Sequence, residues 1–473
     1  MGTNNISLTD YSKCDSGTVA ILKKVEDEIE KGRANILWLG QRKIDEPVRI
    51  VEKYNGEWRT QNYVGVLWHS GETILIRSRF DGGNGFFTTH ILSGALDIQG
   101  LYLPDMHPEL AGENMSMLLL ACCLVSQIKL AQRQGLYRSY TRYERNDSHP
   151  RGQIDVSRHI RLNPSANGKV AYSGRERSLD NSINRIILKA YSLLEERHKP
   201  LITALVNNSR SVKNCIEQLR GSVREVSRQE LSALLRQRER RINSPLYKEW
   251  EKVYQTARMI LRHMAQDLAH GSDHGTDGIL FDMNEMWELY LERLLREQIP
   301  EGLHLEAQFE YPVLDGKRIF RPDFCWNLTE GGKTVFLADA KYRDAWSSIA
   351  KYDAAKWDKK TRRDTRQDVF QILAYMYTRG CAHSAVICPV RADTAGVSHR
   401  KYLVNKDVTG SASLHVFGLN IPKTCTAMDE FEREIRVSEE KLKEELKEIL
   451  REIRASEERL KEELKKFLRE IGD

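Results

Sequence analysis

Asp323, Asp339 and Lys341 are the residues of this chain whose types and spacing point to a reaction. Asp323 lies in Arg318-Ile-Phe-Arg-Pro-Asp-Phe-Cys-Trp326, after the turn Leu314-Asp315-Gly316-Lys317. That run alternates and reads as one strand with Phe320, Phe324 and Trp326 on one face and Asp323 on the other. A second turn, Gly331-Gly332, precedes Thr334-Val-Phe-Leu-Ala-Asp-Ala-Lys341, a continuous apolar run that suits a buried strand ending in charged groups. Asp339 and Lys341 then share a face, about 7 Å apart along the strand. Two carboxylates and an ammonium carried by adjacent strands suit phosphodiester hydrolysis. The aspartates can hold one or two Mg²⁺ ions that polarise the phosphate and acidify a bound water, with the backbone carbonyl of Ala340 as a further oxygen ligand. Lys341 either positions that water or neutralises charge developing on the phosphorus.

Other residues extend the set. Gln371 and Tyr375 stand four apart in Asp368-Val-Phe-Gln-Ile-Leu-Ala-Tyr, so both project from one side of a helix beside the strands. Glu288 lies on a helix read over residues 281–297 and could complete an acidic cluster. Between Lys351 and Gln371 the chain carries seven Lys or Arg against four Asp. Read as a mobile basic loop, this stretch offers Lys356, Lys359, Lys360, Arg362, Arg363 and Arg366 to DNA phosphates. A solvated charged surface is the alternative reading. A lone Asp-x-Lys is usually a surface ion pair. Arg-Pro-Asp, a short turn, a buried strand ending Asp-Ala-Lys and then Gln-xxx-Tyr on a helix form a far rarer conjunction.

The elements that must position these residues give a multidomain α+β chain. Residues 1–104 read as a β-rich N-terminal domain, strand-like from about Ile36 to Leu92, with hairpin turns at Asn55-Gly56 and Ser70-Gly71. Residues 105–274 read as a mostly helical middle domain, through apolar runs at 115–131, 183–194 and 246–264. Residues 275–424 read as an α/β domain carrying the candidate site. Residues 425–473 form a helical tail in which VSEEKLKEELKEILREIR is followed by ASEERLKEELKKFLREIG. Eighteen residues are five helical turns, so Leu442, Leu446, Ile449 and Ile453 stay in phase with Leu460, Leu464, Phe467 and Ile471 on one long amphipathic helix or a pair. Such regular Glu/Lys/Leu usage fits a designed helix and a natural partner-binding one equally.

A chain of 473 residues with 40% apolar residues exceeds one hydrophobic core. The 30% charged residues, the absence of an ~18-residue apolar window and the lack of a signal peptide argue against a membrane protein and for the cytosol. Eight cysteines without CxxC pairs indicate neither zinc nor disulfides. A net charge of +6 is compatible with nucleic acid and decides nothing by itself.

Arg151-Gly-Gln-Ile-Asp155, Asp180-Asn-Ser-Ile-Asn-Arg185, Phe281-Asp-Met-Asn-Glu-Met-Trp-Glu288, Leu337-Ala-Asp-Ala-Lys-Tyr342 and Gln371-Ile-Leu-Ala-Tyr375 occur in that order over roughly Glu109 to Pro422. In these blocks the chain resembles the McrC family, nuclease subunits of McrBC-type modification-dependent restriction systems. The resemblance implies a PD-(D/E)xK endonuclease domain, with Asp323, Asp339 and Lys341 at the catalytic positions. It also implies a McrB-like AAA+ GTPase ring as partner, which recognises methylated DNA and is stimulated by this subunit. GTP is then expected on the partner. Gly331-Gly-Lys-Thr334 mimics the end of a phosphate-binding loop, but Asn327 stands where the first glycine belongs and the segment leads into a strand. The N-terminal region is assigned to ring docking only by analogy. A reading from another class is a non-catalytic adaptor that activates an AAA+ GTPase and keeps the nuclease-like fold as scaffold. Three charged residues at a nuclease's positions count against it, because clustered carboxylates repel one another without metal.

Overall fold

The computed structural model describes residues 5–39, 47–54, 56–95, 111–165, 167–207, 209–236, 242, 244–264, 276–351, 359–392, 395–404 and 412–472. Helix and strand are both abundant, at 49% and 28%, so the chain is mixed α+β as its patterning predicts. It divides into two compact units, one comprising Met1–Ile98, Asp105–Gly112 and Leu280–Asp473, the other Gln99–Pro104 and Glu113–Ile279. Among the described residues no helix is long and apolar enough to cross a membrane.

The N-terminal segment contributes β1 (Asn5–Thr9), α1 (Ser16–Glu30), β2 (Asn35–Leu39), β3 (Val51–Tyr54), β4 (Glu57–Thr60), β5 (Tyr63–His69), β6 (Glu72–Arg77) and α2 (Phe86–Ala95). The β5–β6 turn has Ser70 at φ 50° and Gly71 at φ 82°, the two positive angles a tight hairpin requires. Asn55 lies outside the described residues, yet Tyr54 pairs with Glu57 across the expected hairpin. Two helices interrupt the β-rich reading. Asp15 caps α1 by accepting from Gly17 N and Thr18 N, and Val19, Leu22 and Val25 bury one stripe of it. Residues 86–92, the end of the stretch read as strand-like, belong to helix α2; Phe86, Phe87, Ile91 and Leu92 are all buried, so no polar face marks the helical period.

The second unit holds α3 (Ala111–Ala131), β7 (Ser139–Asp147), β8 (Gln153–Ile154), α4 (Val156–Leu162), β9 (Val170–Ser178), α5 (Ser182–Arg197), α6 (Lys199–Asn207), α7 (Arg210–Ser222), α8 (Arg228–Arg236) and α9 (Lys248–Met264). The three-stranded sheet β7-β9-β8 adds strands to the mostly helical reading. Exposed polar side chains alternate along β7 and hide its strand character among charges. The blocks Arg151–Asp155 and Asp180–Arg185 have architectural roles here. A side chain on Gly152 would collide with the Ser173 carbonyl, Asp155 caps α4, and Arg185 binds Asp180 through two hydrogen bonds of 2.7 and 2.9 Å.

The chain then returns to the first unit with β10 (Asp277–Asp282), α10 (Met283–Arg296), β11 (Leu303–Ala307), β12 (Tyr311–Val313), β13 (Arg318–Phe320), β14 (Phe324–Leu328), β15 (Thr334–Ala340), α11 (Asp344–Lys351), α12 (Lys359–Arg379), β16 (His383–Ala392), β17 (Val397–Leu403), β18 (Ser413–Pro422) and α13 (Met428–Gly472). Phe281 belongs to β10; the helix begins at Met283 because Asp282 caps it, accepting from Asn284 N. β10 joins β1, β6, β5 and β2 in a five-stranded sheet, so an N-terminal sheet and the candidate-site region share one unit. The six-stranded sheet runs β11-β14-β15-β16-β18-β17. β14 meets β15 antiparallel, whereas β15 meets β16 parallel through the crossover carrying α11 and α12. Trp346, Ile372, Tyr375 and Met376 bury one side of that crossover against Cys325, Leu337, Val386 and Cys388 of the sheet.

The tail is one helix. Leu442, Leu446, Leu450 and Ile453 are buried, so the packed stripe takes Leu450 where the repeat pattern put Ile449, and Leu460 of the second repeat is 57% exposed. Glu439 accepts hydrogen bonds from the Tyr290 hydroxyl and the His90 ring, and Gly396 N donates to Ser438 Oγ. Close by, His399 faces Glu445 of the tail at 3.5 Å and bonds the His415 ring at 2.9 Å, and His415 contacts Ser413 Oγ, which also meets His383. Burial, then the neighbouring His399 and Lys401, push His415 down to about 3. The fold therefore keeps this ring neutral where the unfolded chain would charge it below about pH 6.5. The unfolded state binds the extra proton, so stability is full above that pH and falls as pH drops towards 3. The melting temperature should decline between pH 7 and 4.5, and less steeply in His415→Gln; equal slopes would remove His415 as the cause.

Candidate active site

The strand read over residues 318–326 is broken at Arg321-Pro322-Asp323. Proline has no N–H to continue a ladder and keeps Arg321 extended, so β13 leaves the main sheet to pair with β12. The break changes the phase of the side chains. Phe320 packs on Tyr375 at 5.5 Å between ring centres, with the cluster that contains Cys325. Phe324 and Trp326 turn the other way, Trp326 meeting Phe336. These three aromatics do not share one face. Asp323 gains from the same break: placed just before β14, it accepts Ala340 N on Oδ2 at 2.7 Å across the strand pair.

Asp339 is the penultimate residue of the buried strand β15, and Lys341 Nζ stands 2.5 Å from Asp339 Oδ2. The contact is a buried ion pair. Lys341 also lies 3.9 Å from Asp368 and donates to Gln371 Oε1 at 3.3 Å. Gln371 in turn donates to the Tyr375 hydroxyl at 2.7 Å, and that hydroxyl bonds the Arg321 carbonyl. Gln371 and Tyr375 are thus joined to Lys341 in one chain of hydrogen bonds. Glu288 comes to the site through a residue that the sequence reading omits: Gln308 Nε2 donates to Glu288 at 2.9 Å and to Asp323 at 3.3 Å. Gln308 has φ 54°, set by the path between β11 and β12, and no local pattern announces it. Asp368 was also missed, although its three-residue spacing from Gln371 places it on the same helix face. It accepts from Trp346 Nε1 at 2.8 Å and pairs with Arg343 at 3.2 Å.

Electrostatics follow from crowding acids away from water. Burial raises the Asp323 carboxyl well above its usual range, and Asp339 and Glu288 add to the rise. Glu288 is raised by burial and then by Asp339, with the Gln308 bond opposing. Burial works against the Lys341 charge, but Asp339 and Asp368 outweigh it and hold the ammonium above its ordinary range. The result is a buried, acid-rich cluster in which Lys341 is paired with Asp339 and Arg343 with Asp368.

The basic stretch is not a loop where it is described. From Lys359 it is the first half of α12, with Thr365, Asp368, Ile372, Tyr375 and Met376 buried at helical spacing. Charged side chains between those positions masked the period. Lys356 lies outside the described residues, as do the side chains of Lys359 and Lys360. Arg362, Arg363 and Arg366 are exposed; Arg363 pairs with Asp364 and Arg366 lies over Phe370.

Comparisons with known proteins place this geometry in context. A family model described as "McrBC 5-methylcytosine restriction system component" matches residues 58–389, well over half of the chain. No curated protein matches it. Among solved structures, the chain is similar to one from a refined half-complex of the tetradecameric assembly of Thermococcus gammatolerans McrB AAA+ hexamers with bound McrC. Identity there is 16%, coverage 92% of this chain and 99% of that one, and the TM-score 0.45. A chain of the cryo-EM structure of the Thermococcus gammatolerans McrBC complex matches at 15% identity, over 62% of this chain and 87% of that one, with a TM-score of 0.29.

Proposed function

This chain belongs to the family of McrBC 5-methylcytosine restriction system components, and from that membership we propose that it is the system's Mg²⁺-dependent DNA endonuclease, with a domain of the PD-(D/E)xK type. The observation that carries the proposal is the convergence of Asp323, Asp339, Lys341 and Glu288, with Gln371 and Tyr375 bonded behind them.

The donor set fits a hard divalent cation. Asp339 Oδ2 is buried with the Lys341 ammonium as its neighbour, and Asp323 and Glu288 are held near Asp339 at a cost in repulsion that a divalent cation would relieve. Among the described residues, no three His, Cys, Asp or Glu side chains form a ready cage. The ligands proposed are therefore Asp323, Asp339 and the carbonyl of Ala340, with water completing the shell, as Mg²⁺ prefers. When bound, the ion supplies charge that polarises the phosphate and acidifies water. Lys341, tethered by Gln371, would orient such a water or meet the charge growing on the phosphoryl oxygens. Glu288 acts through Gln308 to fix the Asp323 carboxylate. The exposed Arg362, Arg363 and Arg366, with Lys356, Lys359 and Lys360, are the proposed contacts to the duplex backbone.

The partner proposed is a McrB-like AAA+ GTPase ring that selects methylated DNA, carries the GTP and is stimulated by this subunit, with residues 1–104 as the docking segment. The test is cleavage of methylated and unmethylated plasmid by the chain with its system's GTPase, GTP and Mg²⁺. Cutting confined to methylated plasmid and to reactions with GTP is the expected result. Stimulated GTP hydrolysis with no cutting on any plasmid would overturn it and make the chain a non-catalytic activator.

A further inference from the structure

Away from the acidic pocket, a cleft of about 400 Å³ opens between β1, the end of β6 and the end of β16. Lys13, Arg77, Arg79 and Arg391 line it, together with Ser7, Ser12, Ser78, Gly82 and Gly83, and among the described residues no acidic one lines it. Two of the four cations are partly compensated: Arg79 pairs with Asp10 at 3.4 Å behind it, and Lys13 with Glu57 at the mouth. Arg77 and Arg391 have no ion-pair partner among the described residues. Arg77 is braced by the Gly83 carbonyl at 3.1 Å and Arg391 by the Arg79 carbonyl at 3.3 Å, and the buried Arg391 Nε bonds nothing. The loop is shaped around these groups. Gly82 and Gly83 take φ of 65° and 100°, and a Cβ at Gly82 would stand 3.0 Å from Arg391 Nη2.

We propose that this cleft is a subsite for a backbone phosphate of DNA. Guanidinium forks recognise phosphate oxygens in pairs. Among the described residues its lining contains no aromatic ring on which a base could stack; Tyr11 and Tyr342 instead pack on Arg79, at 4.4 and 4.7 Å from its guanidinium. The cleft thus takes phosphate and sugar and is blind to sequence and methylation. It is also tied to the reaction centre through the residue after Lys341. Arg79 Nη2 donates to the Tyr342 carbonyl at 2.8 Å, and the Tyr342 hydroxyl meets Ser78 Oγ at 2.6 Å. A strand gripped here is held by the same β15 exit that carries Lys341.

Naming DNA as the source of the phosphate rests on the nuclease reading, so the test measures grip in the absence of metal and cutting does not enter it. The full-length chain, Arg77→Gln, Arg391→Gln and Lys13→Gln are titrated in EDTA against a short fluorescent duplex over a salt series, and separately against GTP and inorganic phosphate. Either arginine substitution should weaken duplex binding roughly tenfold, and the slope of log K against log salt should shrink by about 0.9 for each phosphate left without its cation. Methylated and unmethylated duplexes should be weakened equally, and Arg77→Lys should retain most of the slope. Lys13→Gln, at the exposed mouth, should give a smaller effect in the same direction and keeps the test sound if Arg391→Gln does not fold. Unchanged affinity and slope in the folded variants would overturn the proposal. So would a weakening confined to GTP or inorganic phosphate, which would assign the cleft to a free nucleotide or anion.

Discussion

Replacing Asp339 with alanine should lower Mg²⁺-dependent plasmid cutting by roughly a thousandfold or more, because it removes one of the two carboxylates proposed to hold the ion and the charge that anchors Lys341. The expected cause is chemical, so the circular dichroism spectrum should be unchanged. A second readout separates loss of metal from loss of fold. Mg²⁺ at about 100 times its dissociation constant should stabilise the native wild type by roughly 2.7 kcal/mol, and Asp339→Ala should lose that increment. Wild-type cutting by the variant would remove Asp339 from the reaction. An unchanged Mg²⁺ increment with cutting abolished would move the metal elsewhere and leave Asp339 a role in positioning Lys341.

Truncation of the tail should divide sharply at its two repeats. Ending the chain after Arg436 removes Leu442, Leu446, Leu450 and Ile453, all buried, together with Glu439, which bonds Tyr290 and His90. Four such side chains contribute roughly 6–12 kcal/mol at about 1.5–3 kcal/mol each, comparable to the roughly 5–15 kcal/mol that keeps a whole domain folded. The shortened protein should not fold. Ending it after Glu458 instead removes a segment whose described side chains are exposed, Leu460 among them, and the melting temperature should move by about 2 °C or less. Melting curves of the two truncations decide the matter. A soluble, cooperatively melting chain ending at Arg436 would show that the first repeat is not part of the core.

The site and the fold were legible to different depths. Asp339 and Lys341 could be read because a continuous apolar run that ends in charges has few alternatives to a buried strand, and β15 is that strand. Gln371 and Tyr375 could be read because four-residue spacing fixes a shared helix face whatever the helix packs on. The phase of Phe320 against Phe324 could not, since Pro322 breaks the strand between them and sends β13 to another partner. Nor could the helicity of residues 359–370, whose buried positions are too sparse among lysines and arginines to stand out.

Local patterning, then, determined by itself the mixed α+β class, the pair Asp339 and Lys341 at one strand end, and the amphipathic stripe of the tail, because each depends on neighbours within a few residues or turns; the family came from resemblance in ordered blocks along the sequence. Only the tertiary structure decided what distant segments supply. It brought Gln308 between Glu288 and Asp323, joined an N-terminal sheet to the candidate-site region through β10, seated the first tail repeat in the core, and gathered Lys13, Arg77, Arg79 and Arg391 around one cleft. Those pairings join residues from 15 to more than 300 positions apart, and closing such loops is a property of the whole packed chain that no local period records.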